Sequence, residues 1–349
     1  MDGRTDFLRF DGHRVAYATL GDGPALLLPA WWVSHVTQDW EGQAQGAAFR
    51  TFMETLATKY RVVRYDRIGT GLSDRDRPAS TLTLEYEVEL LEALVDHVTD
   101  GPVTLFGISC GGPTSVAYTV RNPARVDRLV IYGSYACGLE LGPPGAREAL
   151  VGLVRSAWGV GSRTLTDIFA PGMNAADRDA FVEYQRSAAK AGTAADLLQL
   201  TYEYDVRDLL PTIEVPTLVV HRAGDRAIPV SGGRELAALI HGAQLVVLDG
   251  DAHLLWHSSP EDVLIAVAEF LGLPAPVRSA SEATGIDELS GREREILGLV
   301  AEGLSDAEIA KQLVLSPHTV HRHVANIRRK LGLRSRSAAA AVAARAGLV

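Results

Sequence analysis

Apolar residues in the first 270 positions fall into short runs separated by longer stretches with helical spacing. The runs are Leu26–Ala30 (LLLPA), Tyr60–Asp66 (YRVVRYD), Val103–Phe106 (VTLF), Arg128–Tyr132 (RLVIY), Pro216–His221 (PTLVVH) and Gln244–Leu248 (QLVVL). Runs of this kind suit strands buried on both faces, and the helices between them suit parallel neighbours. The pattern therefore predicts an α/β architecture around a mostly parallel sheet. Between the fourth and fifth runs, from about 136 to 212, the pattern is helical only, including Ala146–Trp158 and Ala176–Ala189.

Toward the C-terminus the periodicity changes. Val320, Val324, Ile327 and Leu331 recur at i, i+4, i+7 and i+11, which predicts one buried stripe along a helix opened by Ser316 and Pro317. Two earlier helices begin with Ser-x-x-Glu capping boxes, Ser290 to Glu293 and Ser305 to Glu308, and Gly303 is placed to stop the first. Ser337 to Ala346 reads as a fourth helix. A tight turn at Val314 and Leu315 before a basic third helix predicts a helix-turn-helix, in an all-α four-helix unit. Between the two patterns, Pro, Ser, Ala and Gly dominate without a period. The expected division is residues 1–273, a linker at 274–287, and a small domain at 288–349.

Charge sharpens that division. The chain holds 34 Lys and Arg against 43 Asp and Glu, yet Ile309 to Val349 carries eight basic residues and no acid. Residues 286–349 hold 10 basic against 7 acidic residues (+3), and the remainder 24 against 36 (−12). Only the small domain suits a polyanion, and duplex DNA is the expected partner. Opposite the apolar stripe lie Arg322, Ala325, Asn326 and Arg329, flanked by His321 and Arg328. Arg can bond guanine, Asn can bond adenine, and Ala allows close approach to a thymine methyl.

The large domain carries Gly107-x-Ser109-x-Gly111 after a strand and before a helix, the context of an exposed serine nucleophile on a strained turn. A serine needs a base, and the base needs an orienting carboxylate. Asp225 follows the PTLVVH strand and His253 the QLVVL strand; Asp249 and Asp251, on the loop of His253, are alternative orienting acids. No His, Cys, Asp and Glu set has metal-ligand spacing, and no cofactor is expected. The two cysteines, Cys110 and Cys137, form no Cys-x-x-Cys pair. An N-terminus without an apolar signal core, and no run near the ~18–20 apolar residues of a span, lead to the expectation of a cytoplasmic protein off the membrane.

Residues from Leu289 to about Val349 resemble the LuxR-type helix-turn-helix domain of bacterial transcription factors. The resemblance is carried by LSGREREILGLVAEGLSDAEIA, LSPHTVHRHVANIRRKLGLRSR and AAAAVAARAGLV. It implies reading of the major groove by the third helix and dimerisation through the fourth. The DNA-contact candidates are Thr319, His321, Arg322, Ala325, Asn326 and Arg329. His321 stands where the family often has Lys.

Residues 7–273 resemble the α/β-hydrolase superfamily through YDRIGTGLSD, GISCGG, PTLVVHRAGDRAIPV and LDGDAH. The order Ser109, Asp225, His253 is that of its catalytic triad. The resemblance implies an oxyanion hole from the backbone N–H groups of Cys110 and Trp31. Pro29-Ala30-Trp31-Trp32 stands where many relatives have His-Gly. It also implies that 136–212 is a lid, under which Trp32, Trp158 and Trp256, with Trp31, would line an apolar ligand pocket.

Two functions fit this chain. One is a homodimeric transcription regulator whose hydrolase-like domain senses a small apolar ester or lactone, with slow turnover of that ligand left open by the complete Ser-Asp-His set. The other is a working serine esterase or lactonase with an accessory DNA-binding domain. A hydrolase fold used only for dimerisation is a third reading, opposed by the retention of all three triad residues.

Overall fold

The computed structural model describes residues 4–41, 46–257, 259–274, 289–331, 333 and 335–345. The chain divides into two compact units, Met1–Pro276 and Val277–Val349. The linker expected at 274–287 lies outside the described residues apart from Pro274.

The first unit is built on one eight-stranded sheet. Its elements in chain order are β1 (Arg4–Phe10), β2 (His13–Leu20), β3 (Ala25–Leu28), α1 (Gln38–Glu41), α2 (Gly46–Ala57), β4 (Arg61–Tyr65), α3 (Leu84–Val98), β5 (Val103–Ile108), α4 (Gly111–Arg121) and β6 (Val126–Tyr132). Then come α5 (Pro144–Ser156), α6 (Trp158–Phe169), α7 (Ala175–Ala188), α8 (Ala191–Glu203), β7 (Thr217–Arg222), α9 (Val230–Leu239), β8 (Gln244–Leu248) and α10 (Pro260–Leu271). The strand order is β1-β2-β4-β3-β5-β6-β7-β8. From β4 to β8 every pairing is parallel, as the buried runs predict.

The sequence pattern overlooks the antiparallel start. β1 pairs with β2 and β2 with β4 in antiparallel register. Asp11 and Gly12 close the first hairpin with φ of 47° and 79°, and two consecutive positive φ values are what Asp-Gly supplies in a two-residue turn. β8 also departs from the expectation of strands buried on both faces. It is the sheet edge, and Leu245 and Val247 remain 38% and 41% exposed.

Side chains alternate across the inner strands. Leu27, Val63, Leu105, Leu129 and Val219 join one buried cluster with α3 and α4. Leu26, Leu28, Val62, Phe106, Val130 and Val220 join another with α2 and α10. Helices α5 to α8 all lie in the segment between β6 and β7 and supply most of a third cluster, which Trp32, Val33, Cys110, Tyr135 and Ile228 join from loops at the strand ends.

The second unit holds α11 (Gly291–Ala301), α12 (Asp306–Leu313), α13 (Pro317–Lys330) and α14 (Arg336–Arg345). Both capping boxes form: Ser290 and Ser305 accept from the amides of Glu293 and Glu308, whose carboxylates accept in return. Ser316 caps α13 through the Thr319 amide at 3.0 Å. Val320, Val324 and Ile327 are buried against α11, α12 and α14 residues, and Leu331 is partly buried beside them. Among the described residues, no helix is long and apolar enough to cross a membrane.

Candidate functional site

The turn after β5 sets Ser109 at φ +55°, a left-handed conformation that costs a non-glycine residue strain. Its surroundings hold it there. The Ser109 amide donates to Tyr132 O at 3.0 Å, and its carbonyl accepts from Gly112 N (3.0 Å) and Ser134 Oγ (2.7 Å). The glycine after the serine is a packing requirement: a Cβ on Gly111 would lie 2.7 Å from Pro29 O. Ser109 is only half-buried, so its hydroxyl remains reachable.

His253 and Asp225 arrive from the ends of two further parallel strands. Asp225 follows β7, and its Oδ1 accepts from the amides of Ala227 (2.9 Å) and Ile228 (3.0 Å). Its Oδ2 lies 2.8 Å from His253 Nδ1. A carboxylate only accepts, so Nδ1 carries the proton and Nε2 is left as the basic nitrogen. Burial alone would raise the Asp225 carboxyl; His253 and the loop amides outweigh it and hold the group below the usual carboxylate range. Of the alternative acids, Asp251 pairs instead with Arg226 at 2.7 Å. Asp249 contributes its backbone carbonyl, which accepts from Arg222, and among the described residues it is Asp225 that bonds His253. His221 sits behind the pair with Nε2 2.9 Å from Ile228 O, and burial pushes its pKa down.

The loop after β3 carries Trp31. Among the described residues, neither the Trp31 nor the Cys110 backbone N–H is engaged in a hydrogen bond. Ala30 O accepts from Arg67 Nη2 at 2.9 Å. In a trans peptide the C=O and N–H point in opposite directions, so this bond turns the Trp31 N–H away from Arg67. Arg67 is held in turn by Glu87 (3.3 Å), which also pairs with Arg77 (2.8 Å). Burial would raise the Glu87 carboxyl, but the two guanidiniums outweigh it and keep it below the ordinary range. The motif YDRIGTGLSD contains Arg67, but its partner Glu87 lies twenty positions away with no linear signal joining them.

Two cavities meet at Ser109 and His253. The smaller, of about 50 Å³, is walled by Trp31, Trp32, Phe169, Phe181, Tyr184 and Trp256 among others. The larger, of about 170 Å³, lies under α5, α6 and α8 and has Trp32 and Phe169 in its wall as well. Thus Trp31, Trp32 and Trp256 line the site. Trp158 does not: it packs edge-on behind Trp32 (ring centroids 5.8 Å) and donates from Nε1 to Ala189 O at 3.0 Å. As the first residue of α6 it is directed into the interior of the helical segment rather than into the cavity. Sequence reasoning missed Phe169, Phe181 and Tyr184, because only packing brings these helices over Ser109. Phe169 also supports the base, since its carbonyl accepts from the His253 amide at 2.7 Å.

In the second unit, His321, Arg322, Ala325 and Arg329 form an exposed face on α13, with Asn326 half-buried beside them. Arg329 donates to Asn326 Oδ1 at 3.2 Å, and His321 Nδ1 lies 3.3 Å from Asp306 Oδ2. Thr319 is half-buried at the N-terminus of the helix, with its hydroxyl 2.8 Å from Ser316 Oγ. Not all the basic residues of the acid-free tail face outward to a partner. Lys330 binds Glu293 at 2.7 Å, and Arg336 binds Asp306 (2.5 Å) and Leu304 O (2.6 Å). Acids from α11 and α12 thus use part of the tail's charge to fasten the helices.

Comparison with known proteins agrees with both units. Residues 25–267 match the family model described as Alpha/beta hydrolase family, and residues 287–343 match Bacterial regulatory proteins, luxR family. The 3-oxoadipate enol-lactonase 2 of Acinetobacter baylyi is 30% identical over 244 residues, 67% of this chain and 84% of the relative. A 2-hydroxy-6-oxo-6-(2'-aminophenyl)hexa-2,4-dienoic acid hydrolase of Metapseudomonas resinovorans is 24% identical over 288 residues, covering 79% of this chain and 93% of the relative. Among solved structures, a hydrolase from Pseudomonas aeruginosa superposes with a TM-score of 0.65 at 27% identity, covering 77% of this chain and 98% of its own.

Proposed function

Because the chain belongs to the alpha/beta hydrolase family and carries a C-terminal luxR-family regulatory domain, we propose that it is a DNA-binding transcription regulator controlled by a small ester or lactone that its hydrolase unit binds and cleaves. The observation that carries this reading is the 2.8 Å Asp225–His253 bond in the same cavity wall as Ser109, in one chain with an exposed basic helix. A hydrolase fold kept only as scaffold has no need of an aligned base.

The chemistry follows from the proposed roles. Ser109 Oγ attacks the carbonyl carbon, and its proton passes to His253 Nε2. Asp225 holds the ring in the required tautomer and stabilises the imidazolium that forms. The oxygen of the tetrahedral intermediate accepts from the Trp31 and Cys110 N–H groups, a contribution of about 10²–10³ in rate per donor. The ester C–O bond then breaks, His253 returns the proton to the leaving oxygen, and an activated water repeats the cycle on the acyl-serine. At the other end, α13 enters the major groove of duplex DNA as part of a homodimer, with Thr319, His321, Arg322, Ala325, Asn326 and Arg329 as its contacts. Ligand occupancy shifts the affinity for DNA, typically by ~5–150-fold in coupled systems of this kind.

The test joins both ends. An active-site fluorophosphonate labels Ser109 in the natural chain and not in Ser109→Ala. DNA binding is titrated with and without apolar esters and lactones in both proteins. An effect that survives in Ser109→Ala means that sensing does not need catalysis; an effect lost there, with ligand binding retained, makes acylation the switch. Absence of labelling defeats the hydrolytic part, and indifference of DNA binding to every bound ligand defeats the regulatory part.

A further inference from the structure

The two cavities that meet at Ser109 differ in chemistry. Among the described residues, no carboxylate, ammonium or guanidinium lines the smaller one, and aromatic rings dominate. The larger one is also mostly apolar, with Leu150, Leu165 and Ile168 in its wall, but it contains two guanidiniums, Arg147 and Arg226. Arg226 is neutralised by Asp251 at 2.7 Å. A third arginine nearby in the sequence fold, Arg207, takes both Asp205 (2.5 Å) and Glu140 (3.2 Å).

Arg147 is different. It is half-buried in the first turn of α5, and among the described residues no carboxylate lies within ion-pair reach of it. Its one hydrogen bond among the described residues is a long one, from Nη1 to Gly138 O at 3.4 Å. Its guanidinium is seated over the Tyr202 ring at 5.8 Å, and Tyr202 is itself a wall of the cavity. A cation on an apolar wall without a counter-ion loses hydration and gains little from the protein. A planar guanidinium fixed against a ring keeps its donor fork preorganised for a carboxylate.

Resting on the reading of Ser109 as the nucleophile of this cavity, we propose that the larger chamber is a carboxylate subsite anchored by Arg147, and that the ligand is an ester or lactone carrying a free carboxylate at one end and an apolar group at the other. The apolar end occupies the aromatic chamber, the scissile carbonyl lies at Ser109, and the carboxylate forms a bidentate pair with Arg147.

Two matched pairs of probes test this. The first is 4-nitrophenyl hydrogen glutarate and its methyl ester; the second is 4-carboxyphenyl hexanoate and its methyl ester, which places the charge on the alcohol side. Binding is read by tryptophan fluorescence in the full-length Ser109→Ala protein, since Trp32 is a wall of both chambers. In at least one pair the carboxylate binds about tenfold or more tightly than its methyl ester. That preference collapses to about threefold or less in Ser109→Ala/Arg147→Met and is partly restored by Arg147→Lys. Arg155→Met removes an exposed charge of the same helix, paired with Asp196, and leaves the preference standing. Equal affinities in both pairs, a preference indifferent to Arg147, or equal losses in Arg147→Met and Arg155→Met overturn the subsite. These outcomes are independent of turnover. If the natural chain neither hydrolyses any of the four nor takes the fluorophosphonate label, the catalytic reading falls and the binding ratios still decide the subsite.

Discussion

Replacing Glu87 by Gln removes one negative charge from between two buried guanidiniums. The side chains of Arg67, Arg77 and Glu87 are 1%, 3% and 1% exposed, so water cannot take over the role of the lost carboxylate. Breaking a buried pair by removing one partner typically costs about 3–5 kcal/mol, because an uncompensated charge is left behind. Here two are left, so the upper part of that range is expected. With a urea m-value near ~3 kcal/mol/M, the midpoint falls by about 1–2 M. All five tryptophans lie within residues 1–276, so fluorescence during urea unfolding of the full chain reports on the hydrolase unit alone. Glu85→Gln, on the exposed side of the same helix, stays within about 0.5 kcal/mol. The pH dependence provides a second check. Glu87 is held below its ordinary pKa in the folded state, so its contribution is complete above the unfolded value of about 4.3 and is lost as pH falls through the folded value. The gap between the natural chain and Glu87→Gln is therefore widest near neutral pH and narrows in acid. A midpoint shift no larger than that of Glu85→Gln, or a gap unchanged at acid pH, would refute the reasoning.

Other consequences are as direct. Asp225→Asn keeps the shape of the site but no longer fixes the Nδ1–H tautomer of His253; ester turnover should fall by roughly 10⁴, while an equal rate in steady-state assays would show that another acid serves. Arg322→Ala should weaken specific DNA binding by about 1–3 kcal/mol if it bonds a base edge, and unchanged affinity with an unchanged salt slope removes it from the interface. Arg336→Ala breaks the tie to Asp306 and Leu304 O, so circular dichroism melting should show the helical unit destabilised even without DNA; no change in that melt would mean the tie contributes nothing. Sedimentation with operator-length DNA should find two chains per duplex, and a single chain at saturation excludes the proposed homodimer.

Much of this architecture was legible along the chain because the signals are local. Six strands are visible as apolar runs, and the caps Ser290, Ser305 and Ser316 each act within three residues of themselves. Ser109, Asp225 and His253 could be named because each follows a strand of a parallel sheet, whose C-terminal edge gathers such loops in one place. The first hairpin was equally local, and Asp11-Gly12 is the signal that would have found it.

What the linear pattern could not decide depends on packing over long separations. Asp249 and Asp251 are closer to His253 in sequence than Asp225 is, yet the loop amides of Ala227 and Ile228 aim the Asp225 carboxylate at the ring. Trp158 carries the same indole as Trp32 and ends up behind it, because rotation about α6 rather than residue type settles which face it joins. The count of basic residues in the tail does not tell which of them meet an acid of their own unit; Lys330 and Arg336 find acids on α11 and α12 and become internal fastenings. The sequence by itself therefore determined the two folds, the strand-end positions of Ser109 and His253, and the basic helix, since those follow from periodicity and from strand ends. Tertiary structure alone decided which carboxylate bonds His253, which aromatics wall the two chambers, and which arginine faces the larger one with no carboxylate beside it among the described residues, since each depends on side chains brought together from distant parts of the chain.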